Sequence, residues 1–228
     1  MSTMMKTSIL VLVAVILGST DAQNYSKKAW NFVSVFNGLF TNEPRLSENF
    51  THHSLIKLIA TPVNGPPCMG EGPFMFLEVG EDVNKVELRE FIRFVDGGEN
   101  VLYLIPYHYK DWDKDSQGQF DTSKFATYTK DDFWTDPSWK IGMEAIEDGI
   151  FFGIWPVLTH KGVNGTRLTW GTLFLCDKSS VSIPAGGDEI RDSVPYYYVR
   201  EGDKFPLINP PADYVSPCDQ KSCPCGKS

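Results

Sequence analysis

The sequence predicts a mainly β protein: one domain of about eight to ten short antiparallel strands, closed as a barrel or packed as a sandwich, behind a single N-terminal helix. Three observations lead there. Segments rich in β-branched and aromatic residues recur between residues 54 and 201. Clusters such as "GEDVN" and "DGGEN" punctuate them at hairpin spacing, which favours antiparallel pairing. A helical period stands out near the start of the chain.

The chain opens on Lys6, an unbroken apolar run from Ile9 to Leu17, and then small and polar residues ending in Thr20-Asp21-Ala22. A run of nine apolar residues is too short for a bilayer, which takes about 20. The pattern is that of a secretory signal peptide cleaved near Ala22, with a buried N-terminal helix as the other reading. Residues 1–22 are therefore set apart, 23–205 make the domain and 206–228 a Pro/Cys-rich tail. No later segment is apolar and long enough to span a membrane, so a secreted protein is expected.

Past the signal, "YSKKAWNFVSVFNGLF" sets Trp30, Val33, Phe36 and Phe40 at helical spacing, with Ser26 as a cap and Gly38 weakening the end. This predicts a helix near 27–40. Strands follow at "SLIKLIATPV" (54–63), "PFMFLEVG" (73–80), "VELREFIRFV" (86–95) and "NVLYLIPYHY" (100–109). The stretch 111–148 is acidic, aromatic and poor in branched aliphatics; it reads as a long loop with a helical turn or two. Strands resume at "GIFFGIWPVLT" (149–159), "TRLTWGTLFLCD" (166–177), "SVSIP" (180–184) and "VPYYYVRE" (194–201), before a proline-rich end that disulfides pin or leave mobile.

The formal charge of −8 argues against a nucleic-acid partner. Sequons at Asn24, Asn49 and Asn164 are glycosylation candidates in an exported chain. Export also makes Cys68, Cys176, Cys218, Cys223 and Cys225 disulfide candidates. Five is an odd number, so one thiol stays free or pairs with another chain, which leaves a disulfide-linked or non-covalent dimer open. Metal binding by the cysteine tail is the weaker alternative, because no histidine lies nearby.

Within 86–95, Leu88, Glu90, Ile92 and Phe94 share one face and Arg89, Phe91, Arg93 and Val95 the other. If the barrel holds a ligand, Arg89 and Arg93 can line it, since guanidinium forks suit carboxylates and phosphates; an outward face with snorkelling arginines is equally compatible with the pattern. Asp111, Asp113 and Asp115 have calcium-loop spacing, with Asp121 further on, but Ser116 stands where the turn needs glycine and Thr122 where a bidentate Glu belongs. No EF-hand is predicted, and a looser calcium site stays open. His52, His53, His108 and His160 show no zinc-ligand spacing, and no nucleophile elbow or phosphate loop occurs, so no catalytic residue is predicted. Tyr196, Tyr197 and Tyr198, with Tyr103, Tyr107 and Tyr109 near His108, can stack on a flat conjugated ligand or fill a core. "AGGDE" at 185–189 reads as a tight loop bearing Asp188.

Taken in order, "FNGLFTNEPRLSEN", "HHSLIKLIATPV", "GEGPFMFLEVG", "VELREFIRFV", "GQFDTSKF", "LTWGTLFLCD" and "SIPAGGDEIRDSVPYYYVREG" resemble the blocks of the CpcT/CpeT chromophore lyase family over residues 31 to 202. The resemblance implies a calycin-type antiparallel barrel that binds a linear tetrapyrrole. Arg89 matches the first arginine of the family's "YRxR" block, and Gly186 and Asp188 match its "DRGxD" block. Leu88 stands for the tyrosine, Phe91 for the second arginine and Pro184-Ala185 for Asp-Arg. With these departures the resemblance implies binding rather than lyase chemistry. The expected ligand is a small hydrophobic molecule or a bilin-like tetrapyrrole, held by Arg89, Arg93, Asp188, Tyr196 and Tyr198. The alternative is an extracellular structural protein whose partners are matrix components.

Overall fold

The computed structural model describes residues 27–46, 55–82, 85–111, 120–136, 140–155, 170–176, 179–184 and 195–219. The expected signal peptide, the three sequons, Asp113, Asp115, Asp188, His52, His53, His160, Cys223 and Cys225 lie outside these residues.

The strands in chain order are β1 (Gly38–Thr41), β2 (Lys57–Val63), β3 (Phe74–Asp82), β4 (Lys85–Asp96), β5 (Val101–Tyr109), β6 (Phe133–Trp134), β7 (Ile141–Glu147), β8 (Ile150–Trp155), β9 (Trp170–Leu175), β10 (Ser179–Pro184) and β11 (Tyr196–Glu201). They pair antiparallel in the order β4-β3-β2-β1-β11-β10-β9-β8-β7-β5, and β4 pairs again with β5. Ten strands thus close into the barrel that the sequence predicted, and the sandwich reading falls. The short β6 pairs with β5 at His108 and Tyr109, beyond the stretch of β5 that β7 covers.

Two elements differ from expectation. The helix α1 spans only Lys27–Val35, because Gly38 adopts φ +123 and the chain turns there into β1. A Cβ at Gly38 would also stand 3.0 Å from the Arg200 side chain. The acidic stretch contributes 3-10 turns at Thr122–Thr127 and Lys130–Asp132, as expected, but also β7, which the sequence reading left inside a loop.

Alternation decides what faces in. Inward side chains from around the barrel, including Phe40, Ala60, Met75, Leu77, Ile92, Phe94, Leu102, Leu104, Met143, Phe151 and Phe174, form one buried cluster. The helix joins it at one end. Phe32 is fully buried, with ring centroids of Phe36, Phe94, Phe151 and Phe174 between 5.1 and 5.8 Å away. Seven of the nine residues of α1 are buried, including Asn31 and Ser34, because the helix is covered on its other side too. Trp30 packs on Tyr214, Ser34 meets Ser216, and the Cys176–Cys218 disulfide ties the tail to the end of β9. Gly149, at φ +89 in the β7–β8 turn, leaves room for that disulfide: a Cβ there would lie 2.5 Å from the Cys176 sulfur. The C-terminal segment is therefore the outer cover of the helix rather than a loose appendage.

Polar contacts fix α1 across this end. Lys28 Nζ donates to the Asp96 carboxylate at 2.8 Å and to carbonyls of the β4–β5 turn. Asp148, in the β7–β8 turn, accepts from Lys27 and Asn31. At the other helix end Arg200 donates to the Val35 carbonyl at 2.8 Å, which satisfies a terminal acceptor of the helix.

A second cluster covers the outer face of β2 to β5. Val63, Phe74, Phe76 and Phe91 pack beneath Phe120, Phe125 and Phe133 of the acidic stretch. Among the described residues, no helix is long and apolar enough to cross a membrane.

Phe32→Ala should lower unfolding free energy by about 3–5 kcal/mol, the cost of a large cavity in a packed core. Urea denaturation checks it, and a loss below about 1 kcal/mol would mean that the helix is not part of the barrel core.

Candidate ligand site at the end of the barrel away from the helix

The helix, the β4–β5 and β7–β8 turns and the disulfide occupy one end of the barrel. The opposite end is bounded by the start of β4 and β11 and the finish of β5. Inward residues there come from Glu90 on β4, His108 on β5, and Tyr196 and Tyr198 on β11.

Glu90 is the unusual member. It sits opposite Leu77 on β3 with Leu88 and Ile92 on either side along its own face, so its surroundings are apolar. The residue is 1% exposed, and neither carboxyl oxygen has a hydrogen-bond partner among the described residues. A carboxylate without donors in such a place is strongly disfavoured. Burial pushes the Glu90 pKa up from 4.5 to about 7. His108 Nε2 stands 3.5 Å from Glu90 Oε1, and its ring stacks on Trp134 with centroids 4.8 Å apart. Burial also lowers the His108 pKa, so the surroundings work against the charged form of both groups. The imidazole is about one-fifth exposed whereas the acid is sealed.

Across the barrel, Tyr196 and Tyr198 project inward from β11 with rings 14° from parallel and centroids 6.3 Å apart. Tyr198 packs against the inner core, and burial pushes its hydroxyl pKa up. The two tyrosines therefore stand on the inside of the barrel, where either sequence reading, stacking on a ligand or filling the core, places them.

Arg89 and Arg93 take the opposite side. Parity places both on the outer face with Phe91, so the expectation that they line the interior is corrected. Arg89 Nε donates to Glu78 Oε1 at 2.9 Å, its cross-strand partner, and the guanidinium lies 5.4 Å from the centroid of Phe120. It is buried, held between a carboxylate and a ring. Burial raises the Glu78 pKa more than the guanidinium lowers it. Arg93 stands farther along the same outer face, against a separate cavity.

The remaining expected residues are distributed as follows. Cys176 and Cys218 are joined, with Cα atoms 5.0 Å apart, while Cys68 is not bonded within the chain, as the odd cysteine count allows for one of them. Asp121 caps the 3-10 turn through Ser123, so its carboxylate already has a structural role. Among the described residues, no group of three or more His, Cys, Asp or Glu side chains could hold a metal ion.

No family model matches the chain, and no curated protein matches it. Among solved structures, the CRL protein of Arabidopsis is similar, with a TM-score of 0.53 and 12% identity over 76% of this chain and 97% of that one. A likeness at that identity speaks to the fold alone, a closed antiparallel β-barrel.

Two outcomes test this site. In the folded chain Glu90 stays protonated up to about 7, whereas an unfolded glutamate ionises near 4.5. The folded state then binds more protons in that window, so the stability from the neutral acid is full below about 4.5 and is lost as pH rises through about 7. The loss is on the order of 3 kcal/mol. Urea titrations between about pH 4.5 and pH 8 should show it, and Glu90→Gln should remove that part of the slope. On the outer face, Arg89→Ala should destabilise by about 3–5 kcal/mol by stranding Glu78, and Arg89→Met with Glu78→Leu should regain most of it. Equal losses in the single and double variants would contradict the pairing.

Proposed function

We propose that the protein is an exported, non-catalytic barrel that binds a small hydrophobic ligand, of tetrapyrrole or similar type, at the end of the barrel away from the helix. The single observation that carries this reading is Glu90: a sealed acid with two unsatisfied oxygens inside an apolar wall. Native proteins rarely leave such a group without a partner, and a ligand bearing N–H groups supplies one. Pyrrole nitrogens fit that description. Tyr196 and Tyr198 would pack on the flat faces of the ligand, and His108 with Trp134 would close over its edge.

The order of sequence blocks that resembles the CpcT/CpeT family supports the tetrapyrrole class, and its departures favour binding over lyase activity. Asp188, in the segment preceding β11, would pair with a donor on the ligand. Arg89 is committed to Glu78, so the acidic groups of a bilin need another partner. The signal-like leader and the disulfide support export to an oxidising compartment.

A second reading, an extracellular structural or matrix protein, is favoured by the solid packing around Phe32 and by the stapled tail. One titration separates the two. Biliverdin added to the purified protein should give a one-to-one complex with a shifted visible band and induced circular dichroism. Glu90→Gln should weaken it about tenfold, equivalent to about 1.4 kcal/mol. Absence of a saturable band with the intact protein would remove the tetrapyrrole reading and leave the structural one.

A further inference from the structure

The outer wall of the barrel carries a cavity of about 510 Å³, within the range of small-molecule sites. It is lined by Cys68, Arg93, Tyr107, Lys130, Phe133 and Trp134, among others, and none of the described residues lining it is acidic. In a chain of net charge −8, a cavity with two cations and no anion is a local reversal of sign.

The two arginines of β4 differ in how their charge is met. Arg89 faces Glu78 across the β3–β4 ladder. Arg93 has Phe74 as its partner on β3 and Ile105 on β5, so neither neighbouring strand supplies a carboxylate. Its Nε is buried and has no hydrogen-bond partner among the described residues. Asp132, close to Lys130 in sequence, is occupied as the cap of its own turn, accepting from the backbone N–H and hydroxyl of Thr129. Around the charges stand three aromatic residues, Tyr107, Phe133 and Trp134. A guanidinium donor without an acceptor, an added ammonium and aromatic side chains together select an anionic, flat, partly apolar molecule.

We propose that this cavity is a second ligand site, specific for aromatic carboxylates or sulfonates, with Arg93 and Lys130 gripping the acid group and the aromatic rings packing on the apolar part. It does not rest on the reading of the barrel interior, because Arg93 and Glu90 project from opposite faces of β4.

Cys68 makes the site readable, since it lines the cavity and its thiol, which donates to the Tyr128 carbonyl at 3.7 Å, is not in a disulfide. Anilinonaphthalene sulfonate is the probe, and the neutral N-phenylnaphthylamine its control. Fluorescence titration is combined with the iodoacetamide alkylation rate of Cys68, followed by peptide mapping. The anionic probe should bind one-to-one and slow Cys68 alkylation about tenfold at saturation, and the neutral probe should do neither. Arg93→Gln should weaken the anionic probe about tenfold, equivalent to about 1.4 kcal/mol, and remove the protection. Lys130→Gln, on an exposed turn, repeats the test without touching the barrel wall and should weaken binding severalfold. Unchanged Cys68 alkylation at saturation overturns the proposal, as does equal affinity for both probes or wild-type binding by both variants. Binding of the probe elsewhere, including inside the barrel, would appear as fluorescence without protection of Cys68 and would count against this site alone.

Discussion

The ladder between β4 and β5, from Phe91 opposite Tyr107 to Asp96 opposite Leu102, is the contact on which the rest depends. Without it the sheet would be an open ribbon with two unpaired edges. With it the sheet closes, and every strand residue faces either the interior or the outer surface. A slip of one residue would exchange those two sets along the whole strand. Register is held because both faces of β4 are buried: Ile92 and Phe94 belong to the inner cluster and Phe91 to the outer one. A strand that is a wall between two cores tolerates little sliding.

That position explains why adjacent charged residues behave so differently. Arg89 and Glu90 are both buried and one bond apart in the backbone, yet they look into different surroundings. The hairpin register brings Glu78 to Arg89, and Phe120 covers the pair. The same register brings only Leu77 to Glu90. One charge is compensated and the other is not, so the first is structural and the second is held close to neutral. Glu78 itself shows that compensation is partial: the cost of burying its charge exceeds what the guanidinium returns.

Much of this was legible in the sequence. The strand count and the antiparallel pairing follow from alternation and turn chemistry, which leave barrel and sandwich both open, and the strands at 73–80, 86–95 and 100–109 lie within a residue or two of the observed ends. What could not be read was the direction of β4. Its two faces, Leu-Glu-Ile-Phe and Arg-Phe-Arg-Val, are equally mixed because both are covered, so polarity gave no sign of which one looks inward. A signal was present in the hairpin: counting back through "GEDVN" puts Glu78 across from Arg89, and a facing carboxylate marks the arginine as spoken for. β7 was hidden by composition. "IGMEAIE" alternates Ile141, Met143 and Ala145 with Gly142, Glu144 and Ile146, but it follows a long acidic run that masks the period. Glu90 and the His108 contact needed the fold itself, because nothing local distinguishes an inward glutamate from an outward one. The helix ended early because the tolerance of Gly38 for φ +123 outweighed the continuing aromatic period.

The two ends of the barrel are not equivalent, and the asymmetry restricts where a guest can enter. At the helix end four rings contact Phe32, the helix is pinned at both termini, and the tail is laid across it and bonded to Cys176. Opening that end requires unpacking core aromatics, breaking the Lys28 and Asp148 contacts and moving a covalently tethered segment at once. At the other end the described inward residues include an imidazole about one-fifth exposed, a tyrosine pair and an acid with no hydrogen bond among the described residues. Rotation of the His108 and Trp134 side chains disturbs their stacking and the His108 contact with Glu90 but breaks no covalent link. Admission through the helix end therefore carries all three of those costs at once. Any guest that entered there would meet Glu90 before it met the packed core around Phe32.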